Sequence, residues 1–215
     1  MIYLSKIVHS APVKNIIFDL GNVILNIDYW RTIDAFKSLG AADFESLYTP
    51  LAQKGFIDKM DKGMITPAEF RESLRSEVPA LRGVSDDNID AAWNAMLLDL
   101  PKSRLDILTE LRRNYSLFLL SNTNEIHVAH FDRIVDEVIP GKKMSDYFDK
   151  VYYSNETGMR KPDAEIYELV IRENGLKAEE SLFIDDLQAN IDGAKKVGLQ
   201  TFLMENGNFW RFLDC

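Results

Sequence analysis

Asp19, Ser121, Lys161, Asp185 and Asp186 are the residues of this chain best suited to chemistry on a charged substrate. Asp19 closes the run Asn15 to Phe18, Ser121 closes Ser116 to Leu120, and Asp185 closes Leu182 to Ile184. An apolar run that ends in a polar residue and a turn signal reads as a strand delivering that residue to a loop. A carboxylate held at such a tip can attack an electrophile, and a hydroxyl beside backbone N–H groups at a strand-to-helix turn can hold an anion. Paired acids suit a hard cation that prefers oxygen. Those are the parts phosphoryl transfer needs: an in-line nucleophile and counter-charge for the equatorial oxygens. Lys161 would add a point charge to the same oxygens. Singly, each residue has an ordinary structural use, since Asp and Ser begin turns and cap helices, and Lys161 before Pro162 suits a solvated helix start. Their order on successive strand tips is what singles them out.

The tips require a scaffold. Apolar runs at Asn15–Val23, Ser116–Leu120, Val151–Tyr153, Leu182–Ile184 and Thr201–Leu203 alternate with helical segments, which predicts an α/β fold with a parallel sheet and covering helices. In open sheets of this kind ligands bind outside the carboxyl ends of the strands, so Asp19, Ser121 and Asp185 converge on one crevice. The stretch between the first strand and Ser116 is far longer than one crossover needs and is patterned for helices. Thr66-Pro67-Ala68-Glu69 is a capping box with Pro at the first helical position, followed by Phe70, Leu74 and Val78 before Pro79. Ser85 caps a second helix carrying Ile89, Trp93, Met96 and Leu97, and an earlier one with Trp30, Ile33, Phe36 and Leu39 ends at Gly40. Residues 28–100 are therefore expected to form a helical cap subdomain inserted after the first strand, with 1–27 and 101–215 as the core domain.

Composition narrows the partners. The chain has 215 residues, 46% of them hydrophobic, enough for one good core and a small subdomain. Lys and Arg total 25 against 34 Asp and Glu, a formal charge of −9 that repels nucleic-acid backbones and anionic membranes. Neither is expected as a partner; a small phosphorylated molecule still fits if a metal reverses the potential locally. Cys215 is the single cysteine, which excludes an intramolecular disulfide and suits a reducing compartment. Met1 to Ser10 holds no signal-peptide core and no run reaches a membrane span, so the cytoplasm is the expected location. Oligomeric state is not legible.

Taken together, F-D-L-G-N-V-I (from Phe18), L-L-S-N-T-N (from Leu119), G-M-R-K-P-D (from Gly158) and F-I-D-D-L-Q-A-N (from Phe183) resemble the haloacid dehalogenase-like hydrolase superfamily in kind and order. Within it, the wording G-N-V-I and G-M-R-K-P looks most like bacterial α-D-glucose-1-phosphate phosphatases. The resemblance implies a Rossmann-like core and a Mg²⁺-dependent phosphatase acting on a small phosphorylated metabolite of the sugar-phosphate kind. In it Asp19 would form an aspartyl-phosphate. Ser121, the amide of Asn122 and Lys161 would bind the phosphate; Asp19, Asp186, Asp185 and the Gly21 carbonyl would hold Mg²⁺, with Asn190 as outer support.

Gly21 is the departure. Phosphatases of this pattern usually carry a second aspartate there to protonate the leaving oxygen and later activate water, help typically worth about 10²- to 10⁴-fold. Its absence favours good leaving groups or slow hydrolysis of the intermediate. Two alternatives stand beside the phosphatase: a haloacid dehalogenase, against which the acid pair argues, and a weakly active or non-catalytic phosphate-binding protein. His127 and His130 lie three apart without an accompanying ligand pattern, and Trp93 reads as packing. Which of Tyr29, Trp30, Phe56 or Met60 faces the cleft is open, and Asp58 to Gly63 reads as an acidic loop ending in a turn glycine.

Overall fold

The sheet is built from apolar alternation that puts successive side chains on opposite faces. In the computed structural model, which describes residues 12–49, 52–53, 55–205 and 210, β1 (Asn15–Phe18) is followed by α1 (Tyr29–Ser38) and the short strands β2 (Tyr48–Thr49) and β3 (Ala52–Gln53). Then come α2 (Gly55–Asp61), α3 (Pro67–Glu77), α4 (Asp86–Asn94) and α5 (Lys102–Leu111). The chain continues through β4 (Ser116–Ser121), α6 (Glu125–Val138), β5 (Lys150–Tyr153), α7 (Ser154–Thr157) and α8 (Ala164–Glu173) to β6 (Ser181–Asp185), α9 (Gln188–Lys196) and β7 (Gln200–Leu203). The expectations made on Met1 to Ser10 and on Cys215 fall outside the described residues. No helix among the described residues is long and apolar enough to cross a membrane.

Five strands form one parallel sheet in the order β5-β4-β1-β6-β7. The chain thus winds outward in one direction from β1 and then in the other, placing the switch point between β1 and β6. Phe18 is level with Leu119 on one side and Ile184 on the other, so Asp19, Leu120 and Asp185 come next on adjacent strands. The Asp19 amide donates to the Ile184 carbonyl at 2.9 Å.

Alternation divides the core. Ile16, Phe18, Leu117, Leu119, Leu182 and Ile184 pack with Leu105, Leu108 and Leu111 of α5 and Phe131 and Val135 of α6. Ile17, Phe118, Leu120 and Phe183 face the other way, onto Ile166, Tyr167 and Val170 of α8 and Ile191 and Ala194 of α9. Each buried Leu, Ile or Phe contributes about 1.5–3 kcal/mol relative to exposure.

The helices between β1 and α5 gather around a cluster of their own, with Ile33, Phe36, Phe44, Ile57, Met60, Phe70, Leu74 and Trp93 buried, and Ile126 of α6 reaching into it. Thr66 and Glu69 form the capping box read from the sequence, and Ser85 caps α4 through the Asn88 amide. Two details differ from expectation. The helix after Ser85 stops at Asn94, because the chain straightens so that Leu97 bridges Ile27 in antiparallel fashion. Asp58 to Asp61 are the end of α2 rather than a loop. Gly63 beyond it has φ +63°, and a β-carbon there would lie 2.0 Å from the Asn155 carbonyl oxygen on α7. A side chain at this position would meet both backbone strain and a hard clash.

Candidate active site

The loops at the carboxyl ends of β1, β4 and β6 surround a cavity of about 130 Å³ whose walls include Asp19, Gly21, Ser121, Asn122, Lys161 and Asp186. At its base the Lys161 ammonium donates to Asp19 Oδ1 at 2.5 Å and to Asp185 Oδ2 at 2.7 Å. Lys161 is only 2% exposed, so both ion pairs are removed from water. A buried lysine is tolerated only with such partners. Despite the burial that opposes its charge, Asp185 and Asp19 hold Lys161 protonated well above the usual range. Burial pushes the Asp19 carboxyl up to about 7; Lys161 opposes that rise while Asp185 and Asp186 add to it. The site therefore carries more negative charge than its one lysine balances.

Each member is held by a specific partner. Asp185 Oδ1 accepts from the Leu187 amide at 2.8 Å, and Asn190 Nδ2 lies 3.0 Å from both Asp185 oxygens. With Lys161 on Oδ2, both Asp185 oxygens accept from protein donors. Asp186 is less enclosed; burial and then the neighbouring Asp185 raise its pKa. Its Oδ2 accepts from Asn22 Nδ2 at 3.1 Å. Asn22 has φ 54°, a left-handed turn that Asn tolerates better than most residues, and its Oδ1 accepts from the Ile27 amide. Its role in holding Asp186 was not apparent from the sequence, where the Gly-Asn pair signals only a turn.

Asn122 and Lys161 form a second relationship the sequence does not reveal. Asn122 Nδ2 donates to the Lys161 carbonyl and Oδ1 accepts from the Lys161 amide, both at 2.9 Å. The side chain thus clamps the segment that carries the lysine. Ser121 is buried on the cavity wall. The turn after it is locked by Ser154 Oγ, which accepts from the Thr123 amide and donates to the Thr123 carbonyl, both at 2.9 Å. Asn124 then caps α6 by accepting from the His127 amide, aiming the positive end of that helix toward the cavity.

Asp19, Asp185 and Asp186 each offer an oxygen within 4.8 Å of the others. An all-carboxylate set fits a hard divalent cation such as Mg²⁺. His127 and His130 do not form a ligand pair: His127 turns to the cavity, whereas His130 Nδ1 lies 3.2 Å from Arg133.

The helical unit closes the cavity with Tyr29, Tyr48, Asp61 and Trp93. Of the four residues left open by the sequence, Tyr29 lines the cavity, Trp30 is exposed, and Phe56 and Met60 pack inside the helical unit. Burial, with the negative charge of Asp19 and Asp186, raises the Tyr29 pKa and keeps it a neutral phenol. Polar contacts tie the unit to the core, among them Arg160 to Asp58 at 2.5 Å and Asn124 Nδ2 to Asp61 at 3.1 Å.

This fold and site define a class. A family model for haloacid dehalogenase-like hydrolases matches residues 13–198, and the chain belongs to that family. It is 34% identical to a D-ribitol-5-phosphate phosphatase from Bacteroides thetaiotaomicron over 93% of its own length and 95% of the relative's. It also resembles a solved HAD family enzyme from the same organism, in complex with magnesium and inorganic phosphate, with a TM-score of 0.88, 38% identity and coverage of 94% and 99%. A predicted HAD-like hydrolase from Porphyromonas gingivalis superimposes with a TM-score of 0.84 at 33% identity, covering 93% and 95%.

Proposed function

We propose that this phosphatase-type hydrolase releases phosphate from a small polyhydroxylated monophosphate, a sugar or polyol phosphate, through an aspartyl-phosphate on Asp19. The observation that carries this is the junction of Asp19, Lys161 and Asp185 at the switch point of the sheet, facing a cavity that suits a small metabolite. The name of the 34% identical relative supports a five-carbon polyol phosphate as readily as the glucose-1-phosphate type suggested by the motif wording.

Asp19 attacks phosphorus opposite the ester oxygen and the P–O ester bond breaks, the leaving oxygen taking its proton from water; a second water then attacks the aspartyl-phosphate, freeing phosphate and restoring the Asp19 carboxylate. Lys161, Ser121 and backbone N–H groups at the start of α6 meet the phosphoryl oxygens. Asp185 and Asn122 fix Lys161 for that task from its ammonium and backbone ends respectively. Asp19, Asp186 and the Gly21 carbonyl would hold Mg²⁺, with Asp185 and Asn190 behind them. When bound, the ion neutralises charge on the carboxylates and the phosphate. The acid cluster favours this chemistry over displacement of halide from carbon, which needs no divalent metal.

The test is phosphate release across sugar, polyol, nucleotide and acyl phosphates, with Mg²⁺ and with chelator. Wild type should be active only with Mg²⁺, and Asp19→Asn should lose at least about 10³-fold, the scale of losing a nucleophile. Equal rates for wild type and Asp19→Asn would end the assignment.

A further inference from the structure

His127 sits on α6, one turn from the cap residue Asn124, and lines the cavity although only 7% of it is exposed. Its ring stacks on Trp93 of α4, with centroids 5.2 Å apart and planes 7° apart. Nδ1 lies 2.9 Å from Asn94 Oδ1. A carbonyl oxygen can only accept, so Nδ1 carries the proton and Nε2 the lone pair. Nε2 has no partner among the described residues and is not sealed by protein. Burial, followed by the nearby His130, lowers the His127 pKa to about 3, so the ring stays neutral. The nitrogen facing the cavity is then an acceptor with no donor to it among the described residues.

The rest of the cavity wall carries further polar groups. Asp61 and Tyr48 share the cavity wall, and Asn124 ties the arrangement together: its Oδ1 accepts from Trp93 Nε1 at 3.4 Å while its Nδ2 donates to Asp61. A phosphate oxygen, which has no proton to give, would be repelled by that lone pair, whereas a hydroxyl can donate to Nε2. We propose that His127 is a specificity-determining residue that accepts a hydrogen bond from a substrate hydroxyl distant from the phosphate, selecting polyhydroxylated monophosphates over esters of plain alcohols. This rests on the phosphatase reading above. A site built to pair a substrate hydroxyl rejects analogues lacking it far more strongly than an apolar pocket rejects an extra group.

The experiment compares Mg²⁺-loaded wild type, His127→Phe and His127→Gln on ribitol 5-phosphate and on p-nitrophenyl phosphate, which has no alkyl hydroxyls. Phe keeps a ring against Trp93 and Gln keeps an acceptor oxygen. The ratio of kcat/KM for the polyol ester to that for the aryl ester should fall at least about tenfold in His127→Phe, mostly through KM, and recover partly in His127→Gln. A parallel loss on both esters, an unchanged ratio, or no wild-type turnover of the polyol ester would overturn the assignment to His127. No activity of wild type on either ester would instead remove the phosphatase reading itself.

Discussion

The δ-methyl of Ile27 lies 2.7 Å from where a β-carbon on Gly21 would stand. The place beside Asp19 where the resemblance calls for a second carboxylate is occupied by hydrocarbon, and Ile27 is fixed in turn by the hydrogen bond its amide donates to Asn22 Oδ1. Gly21→Asp therefore has to displace that methyl before it can act as an acid. Turnover of esters with poor leaving groups should rise only slightly in Gly21→Asp, and at least about tenfold in Gly21→Asp/Ile27→Ala, a fraction of what general acid–base help usually provides. Steady-state rates on an alkyl and an aryl phosphate check this; equal gains on both would point away from leaving-group protonation.

Without that acid, water must attack the aspartyl-phosphate unassisted by residue 21. Rapid-quench measurements with labelled substrate should show a burst of phospho-enzyme followed by slower steady turnover. Linear phosphate release from the first turnover, with no trapped intermediate, would contradict the expectation.

Lys161 offsets two carboxylates at once. Lys161→Met should abolish activity and also destabilise the fold by about 3 kcal/mol near pH 8, the scale of breaking a buried pair from one side. Urea unfolding with chelator present reads the stability change directly. A variant as stable as wild type would mean that Asp19 and Asp185 tolerate burial without the ammonium.

The clamp by Asn122 predicts a different signature. Asn122→Ala frees the Lys161 backbone without removing a charge, so kcat should fall about tenfold while the unfolding midpoint moves little, because a typical hydrogen bond contributes only about 1 kcal/mol net. A kcat equal to wild type would show that Lys161 is placed by its side-chain partners alone.

The strand tips were legible because the sheet is buried on both faces. Continuous apolar runs marked β1, β4 and β6, and Asp19, Ser121 and Asp185 stand at their ends. The capping box at Thr66 was likewise legible, because its residue types and spacing are local. The holding contacts were not legible: Asn22 to Asp186 and Asn122 to Lys161 join turns distant in the chain, through side chains whose types signal only a turn. His127 looked like an ordinary helix residue, since nothing local indicates that Trp93 and Asn94 close over it.

His127 also sets an acid limit. Its imidazole protonates near pH 3 in the folded chain but near 6.5 when unfolded, so its stabilising effect is complete above pH 6.5 and drains away as pH falls toward 3. Between pH 6.5 and 5 this amounts to about 2 kcal/mol. Denaturation midpoints measured across that range should fall less steeply in His127→Phe than in wild type. Parallel curves would place the acid sensitivity elsewhere.

The polar stitch from Asp61 through Asn124 to Trp93, with Asn94 against His127, makes the substrate chamber a joint property of two pieces of chain. Divergence of either piece alone breaks the match. Transplanting residues 28–100 from a relative with another substrate should transfer that preference only when positions 124 and 127 travel with it.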